Sequence, residues 1–202
     1  ISRQERFSVV VRANYDSYQQ SGQKIEFGET RKVTLIRPDR LRVEVEESNG
    51  VGHLVLFDGK DLTLSTPQSN VYAQLPKPGT IDQVVIFFVR DLRMRPPLAA
   101  LLLTTAPDEL MQRTLSIDYV EKTSILGKPA HHLAGRTDSV DYQIWLADGE
   151  QPLPMRVVLT YHAEPGQPQY RAMLSDWNLA PQVQDSAFAF TAPSDARRIA
   201  FL

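Results

Sequence analysis

Hydrophobic and polar positions alternate along most of the chain, and this pattern changes once in its middle. Between Phe7 and Leu75 apolar residues recur at every second position, as they do in consecutive β-strands. From Ile81 to Gln112 the spacing becomes helical, and from Leu115 onward the alternation returns. The number of alternating segments predicts about ten strands, which is typical of a sheet that curls or closes.

Turn residues separate the predicted strands. Asn49-Gly50 is a strong hairpin signal, because both residues tolerate the backbone of a tight turn. The segment that follows it, residues 53–57, is apolar on both faces, so we expect a strand in the middle of the sheet. Ile199 and Phe201 predict a last edge strand near the C-terminus.

The helical insert carries its own start and stop signals. Thr80 is a helix N-cap, with Gln83 in the first turn of the helix that follows. Residues 81–89 are more apolar than a surface helix requires, so this helix is expected to be buried on more than one side. Pro96-Pro97 interrupts the insert, and another helix is predicted to begin near Pro107. Such an insert predicts a lid or plug over one face of the sheet.

These patterns predict a mainly β (α+β) fold, a single curved antiparallel sheet forming an open half-barrel with a helical lid. Two hundred and two residues fit one domain, spanning 1–202, with strands over 7–75, the insert over 80–113 and strands over 114–202. Apolar residues make up 42% and charged residues 23%, the proportions of an ordinary soluble protein. A net charge of −2 argues against a nucleic-acid partner.

The chain has no cysteine, which excludes disulfides, thiol nucleophiles and thiolate metal ligands. No apolar run reaches the roughly 18 residues of a transmembrane segment. Residues 1–6 read as the end of an element already under way, so we expect the full-length precursor to carry a further N-terminal segment, such as a signal peptide or a lipid anchor.

Candidate catalytic and metal-binding residues are few. His131 and His132 are adjacent on a predicted strand, so their imidazoles should point to opposite faces and not share a metal ion. Asp138 and Asp141 lie beside turns, where Asp is common for backbone hydrogen bonding. The chain is therefore predicted to be non-enzymatic, without catalytic residues, metal or cofactor. A pocket in which these aspartates met either histidine would favour an enzyme instead.

Several short motifs carry a family resemblance. Residues 37–44 (RPDRLRVE) and 57–60 (FDGK) resemble the strand–turn–strand signature of bacterial lipoprotein-carrier-like proteins, the LolA/LolB group. Residues 70–73, 97–102 and 142–145, with the Pro152-Leu153-Pro154 stretch, are similar to a family of predicted periplasmic proteins of unknown function. The resemblance implies a periplasmic LolA/LolB-like domain whose helices cover a hydrophobic cavity. It also implies binding of acyl chains or other lipids, or sensing of envelope stress through protein contacts.

Our leading hypothesis is therefore a non-enzymatic cell-envelope protein that holds a lipid or acyl chain between the concave sheet face and the insert. The residues expected to line this site are chosen by strand parity and by the inward faces of the insert. They are Val43, Val45, Val55, Phe57, Tyr72, Val85, Phe88, Leu101, Leu102, Ile144 and Val157. The alternative is a protein-interaction or stress-sensing module whose cavity is filled by the insert and whose partner is another envelope protein.

Overall fold

The computed structural model describes residues 1–94 and 96–201. The strands alternate with short connections except where the helices intervene. They are β1 (Arg6–Tyr18), β2 (Lys24–Ile36), β3 (Arg40–Glu47), β4 (Gly52–Phe57), β5 (Asp61–Thr66), β6 (Val71–Pro76), β7 (Ser116–Ile125), β8 (Lys128–Arg136), β9 (Asp141–Ala147), β10 (Pro154–Thr160), β11 (Gln169–Asn178) and β12 (Arg197–Arg198). The helices are α1 (Ile81–Arg90) and α2 (Ala106–Arg113), with single 3₁₀ turns at Pro67–Ser69, Ala99–Leu102 and Asp185–Ala187.

All twelve strands of the described residues belong to one sheet. Their hydrogen-bonded order is β12-β6-β5-β4-β3-β2-β1-β11-β10-β9-β8-β7, so β12 and β7 stand at its two ends and the order does not close. The predicted mainly β fold with an open sheet is confirmed, with twelve strands rather than about ten. The pairing of β12 with β6 is parallel, unlike the antiparallel pairs around it. The half-barrel and the lid remain predictions.

The insert is less helical than its sequence pattern predicts. Residues 91–94 and 96–98 lie in turns and irregular backbone between α1 and the 3₁₀ turn at Ala99–Leu102. Pro96 and Pro97 account for this, because each lacks an N–H and disfavours helical backbone in the residue before it. The predicted start of α1 is confirmed: the side chain of Thr80 accepts from the Gln83 N–H, and the Gln83 side chain accepts from the Thr80 N–H.

The chain divides into two compact units, and the single domain predicted from its length stays a prediction. The first unit comprises residues 1–10, 30–106 and 176–202, and the second comprises residues 11–29 and 107–175. Both units draw on segments that are far apart in sequence.

In the first unit, the register of β3 to β6 defines two faces. Residues directly opposite each other share a face, because side chains alternate along each strand. Face A carries Leu41 opposite Phe57, Phe57 opposite Leu62, and Leu62 opposite Leu75. Face B is the other side, with further cross-strand partners: Arg42, Leu54, Leu56, Thr63, Ser65 and Tyr72.

Helix α1 begins beside one end of face A. The Ile81 N–H donates to the Pro38 carbonyl at 2.8 Å, and the Gly79 N–H donates to the Gly59 carbonyl at 3.2 Å. The inward stripe of α1 is fully or nearly buried: Ile81, Val84, Val85 and Phe88. At the same end Leu41, Phe57 and Leu62 are at most 3% exposed. The joint burial of these two sets indicates that α1 packs on this end of face A.

In the second unit the buried tyrosines lie on one face of β8 to β11. Tyr142 is opposite Leu159, and Leu159 is opposite Tyr170, which is 1% exposed. On the other face His132, Trp145, Arg156 and Met173 follow one another across the strands. The His132 and Trp145 rings stack with centroids 4.0 Å apart, and the Arg156 guanidinium lies over the Trp145 ring, 5.0 Å from its centroid.

Candidate ligand-binding site

Face A continues beyond α1 as a strip of accessible aliphatic side chains. Val43 is opposite Val55, and Val55 is opposite Leu64, while Val45 follows two residues after Val43 on the same face. All four side chains are half-buried, unlike the fully buried residues beneath α1. We call these four residues the apolar strip. With Ala73, which is opposite Leu64, it crosses four adjacent strands, a span of about 14 Å.

The apolar strip has a buried end and a polar end. Toward α1 it runs into Leu41, Phe57 and Leu62, where the packing is closed. At the other end His53, opposite Val45, holds two polar neighbours: its Nδ1 is 3.2 Å from Thr66 Oγ1 and its Nε2 is 3.1 Å from Glu47 Oε1. An extended ligand with an apolar tail and a polar head matches this gradient.

The 3₁₀ turn at Ala99–Leu102 is held beside α1 by polar contacts. Arg37 Nη2 donates to the Leu102 carbonyl at 2.7 Å, and Arg37 Nη1 pairs with Asp82 at 3.4 Å. The Asp82 carboxylate also accepts from the backbone N–H and the hydroxyl of Thr104. Arg37 and Asp82 thus fix the half-buried Leu101 and Leu102 close to α1.

The structure brings together part of the lining set predicted from the sequence. Val43, Val45 and Val55 form most of the apolar strip, and Phe57 lies buried at its closed end. Val85 and Phe88 are buried on α1, and Leu101 and Leu102 are half-buried on the neighbouring turn. Ile144 and Val157 belong to the second unit, where they are direct cross-strand partners.

Tyr72 does not lie with the rest of the predicted set. It is opposite Ser65, and Ser65 is opposite Leu54, so the Tyr72 side chain is on face B. Leu64, which completes the apolar strip, was not in the predicted set. The alternation of Leu62 and Leu64 along β5 is the signal that could have identified it.

Face B carries a cavity of about 270 Å³ that sequence reasoning did not anticipate. Its sheet wall includes Leu54 and Leu56, which lie on the face opposite Val55 and Phe57. The apolar character of β4 on both sides is the only sequence signal for it. The complete lining is Arg42, Leu54, Leu56, Ser65, Pro67, Asn70, Val71, Ala189, Phe190, Thr191, Pro193 and Ala196.

The candidate acid–base residues are not assembled into one site. His131 and His132 point to opposite faces, as predicted, since their cross-strand partners are Leu146 and Trp145. Asp141 accepts two hydrogen bonds from Arg136, at 2.6 and 2.7 Å, and this pairing lowers the pKa of its carboxyl.

The histidines have other partners. His131 Nε2 is 3.1 Å from Asp148, and His132 Nε2 is 3.0 Å from Gln143 Oε1. Among residues 1–94 and 96–201 no three His, Asp or Glu side chains are grouped to hold a metal ion.

The fold is thus an open sheet in which helix α1 packs on one end of an apolar face. A model of the family described as "Predicted periplasmic protein (DUF2092)" matches residues 1–202. The chain belongs to this family, and the periplasmic location predicted from the sequence is confirmed at the level of the family. A search among curated proteins finds no match to this chain.

Solved structures show the same fold. An uncharacterized conserved protein from Thermus thermophilus is 10% identical, with a TM-score of 0.55 over 99% of this chain and 93% of that chain. The Mycobacterium tuberculosis lipoprotein LppX is 12% identical, with a TM-score of 0.53 over 90% of this chain and 91% of that chain.

A LolA superfamily protein from Nitrosomonas europaea is 13% identical over 93% of this chain and 91% of that chain, with a TM-score of 0.44. The resemblance to a family of predicted periplasmic proteins is confirmed by the family model, and the chain shares its fold with the Thermus protein and with LppX. Within the part of the chain that the structure describes, no helix is long and apolar enough to cross a membrane.

Proposed function

We propose that this protein is a non-enzymatic periplasmic binding protein that holds the acyl chain of a lipid along the apolar strip. The observation that carries the proposal is the half-buried state of Val43, Val45, Val55 and Leu64, side by side on one face and continuous with the core under α1. Four neighbouring aliphatic side chains in this state leave apolar surface that a ligand would remove from water.

The expected affinity follows from the apolar area that the ligand buries. Each buried methylene contributes about 0.8 kcal/mol, so a chain of ten methylenes gains about 8 kcal/mol before the cost of association. The insert, fixed by the Arg37–Asp82 pair, would shield one side of the chain. Binding in the micromolar range or weaker is therefore expected.

The test is titration with a fatty acid that carries an environment-sensitive fluorophore, together with native mass spectrometry of the protein purified from its host. The double variant Val43→Thr/Val55→Thr keeps side-chain shape but adds two hydroxyls to the strip, and it should weaken probe binding about tenfold. The matched control is Val120→Thr on the exposed strand β7, which should bind like the parent protein. No probe response and no co-purified lipid in the parent protein would reject the proposal.

A second candidate function rests on strand β7. This strand stands at one end of the sheet order, and apolar side chains on it are exposed: Ile117, Tyr119 and Val120. An edge of this kind can accept a strand from an extended segment of another protein. In that case a periplasmic protein partner would crosslink to β7, and the Val43→Thr/Val55→Thr variant would retain the partner fully.

A further inference from the structure

The cavity on face B is covered by a segment that is fastened at two points. Residues 179–196, which we call the C-terminal strap, follow β11 and precede β12. At its first fastening Phe188 is fully buried, and Arg42 Nη1 donates to the Ala187 carbonyl at 2.9 Å. At its second, the Arg197 N–H donates to the Asn70 carbonyl at 2.9 Å.

Between these fastenings the strap arches over the sheet. Residues 189–196 contain no helix or strand, and five of the lining residues of the cavity come from them: Ala189, Phe190, Thr191, Pro193 and Ala196. Phe190 is the one aromatic residue of the arch, and its ring packs on Tyr72 with centroids 5.0 Å apart. The arch is therefore held down at its ends and at Phe190, and the partly open cavity lies between it and Leu54 and Leu56.

The size of the cavity limits its ligand. A cavity of roughly 150 Å³ accommodates benzene, while pockets for drug-sized molecules run from about 300 to 1,000 Å³. At about 270 Å³ this cavity lies between the two. An alkyl body of about eight carbons suits a cavity of this size, whereas a full-length acyl chain exceeds it.

The lining also indicates the chemistry of the ligand. Leu54, Leu56 and Phe190 supply an apolar wall, and Arg42 supplies a guanidinium whose side chain is 30% exposed. Arg42 Nε is bonded to Glu44 and Arg42 Nη1 to the strap. No hydrogen bond within the described residues uses Nη2.

The Glu44 side chain is 44% exposed, and an ion pair this accessible to water is weak. A second carboxylate can therefore share the Arg42 guanidinium, which has five donor hydrogens in all. We propose that the face B cavity binds a medium-chain carboxylate, with its alkyl body against Leu54 and Leu56 and its head on Arg42. This site is separate from the apolar strip, which lies on face A. The two proposed sites can therefore be tested independently.

The test uses octanoate as the probe, followed by two-dimensional amide and methyl NMR of the whole chain. Shifts are expected for the methyl groups of Leu54 and Leu56 and for the amides of residues 189–196, whereas the methyl groups of Val43 and Val45, which lie on face A, should not shift. Affinity should rise from butanoate to octanoate and fall for dodecanoate, because the longer chain outgrows the cavity. In the parent protein, octanol should bind more weakly than octanoate. In the Arg42→Met variant, octanol and octanoate should bind about equally well.

Substitutions that fill the cavity with a larger side chain test the proposed site directly. Ala196→Phe, and separately Ala189→Phe, should weaken octanoate binding at least tenfold, whereas Ala192→Phe, an exposed arch residue outside the lining, should not. Either filling variant suffices if the other fails to fold. Octanoate shifts confined to face A, unchanged binding in both filling variants, or no binding at millimolar octanoate would overturn the proposal. If the parent protein bound octanoate but not the fluorescent fatty acid, the acyl-chain function would be rejected and the face B site would be retained.

Discussion

The ring of Tyr72 packs against the ring of Phe190 on face B, with centroids 5.0 Å apart and planes inclined by 44°. The contact joins β6 to the C-terminal strap, across 118 positions of sequence. Tilted aromatic pairs at this distance stabilise a structure beyond the area they bury. Tyr72 therefore holds the strap over the cavity rather than lining the apolar strip.

The first prediction concerns this aromatic pair. Tyr72→Ala and Phe190→Ala should each lower the free energy of unfolding. The loss in the double variant should be smaller than the sum of the two single losses by about 0.5–1.5 kcal/mol. The measurement is urea denaturation of the four proteins of the cycle. Strictly additive losses would show that the two rings do not interact.

The second prediction concerns the start of α1. Thr80→Ala removes the acceptor for the Gln83 N–H and should cost about 1 kcal/mol of unfolding free energy, because a helix N-terminus lacks internal partners for its first N–H groups. Thr80→Ser keeps a hydroxyl at the same position and is the matched control. Equal losses in the two variants would mean that the hydroxyl does not cap the helix.

Local sequence pattern predicted those parts of the fold that local chemistry determines. The cap at Thr80 is set by residues three apart, and Val43 and Val45 of the apolar strip follow from strict alternation along β3. Alternation within β6 also separates Tyr72 from Val71 and Ala73, so its assignment to the strip conflicts with the parity of its own strand.

The parts that escaped prediction depend on contacts between distant segments. The strap between Leu179 and Ala196 has no regular periodicity, and its position follows from Phe188, Phe190 and the bond from Arg42. The parallel pairing of β12 with β6 involves only two residues of β12, and a strand this short shows no alternation of apolar and polar residues. The face B cavity forms where that strap crosses the sheet, so the apolar residues of β4 on face B indicate a covered surface but not the cavity itself.

The third prediction concerns Gly135, which is directly opposite Tyr142 in the second unit. A Cβ at this position would overlap the Tyr142 ring, which covers the glycine. Gly135→Ala should therefore destabilise the protein by about 1–3 kcal/mol, the usual cost of overpacking. In a Tyr142→Ala background the ring is absent, and the same substitution should cost little. Denaturant midpoints of the four proteins test this, and an equal cost in both backgrounds would exclude a clash with the ring.

The fourth prediction concerns pH and the pair formed by Asp16 and Arg171. Asp16 is only 7% exposed, and its carboxylate accepts from both terminal nitrogens of Arg171 at 3.0–3.1 Å and from the Gln169 N–H at 3.0 Å. Burial alone would raise the pKa of Asp16, but the hydrogen bonds from Arg171 and Gln169 outweigh it and hold the pKa below its ordinary value. The unfolded chain therefore binds a proton at this carboxyl more readily than the folded protein does.

The sign of the pH dependence follows from that difference. The stabilisation from Asp16 is fully present above the ordinary pKa of an aspartate and is lost as the pH falls through the lower pKa of the folded state. Asp16→Asn should lower the free energy of unfolding by about 2 kcal/mol at neutral pH, since hydrogen bonds to charged groups contribute about 1.5–3 kcal/mol. The parent and the variant should converge as the solution is made more acidic.

Urea denaturation at a series of pH values from about 7 to about 2.5 measures this difference. Asp148→Asn is the comparison variant. Hydrogen bonds from Lys122 and His131 lower the pKa of the Asp148 carboxyl, but that cluster is exposed and solvent screens it. Its loss should change the pH profile less than the loss of Asp16. A gap between the parent and Asp16→Asn that stays constant down to the lowest pH would mean that Asp16 stabilises the fold through packing and not through its charge.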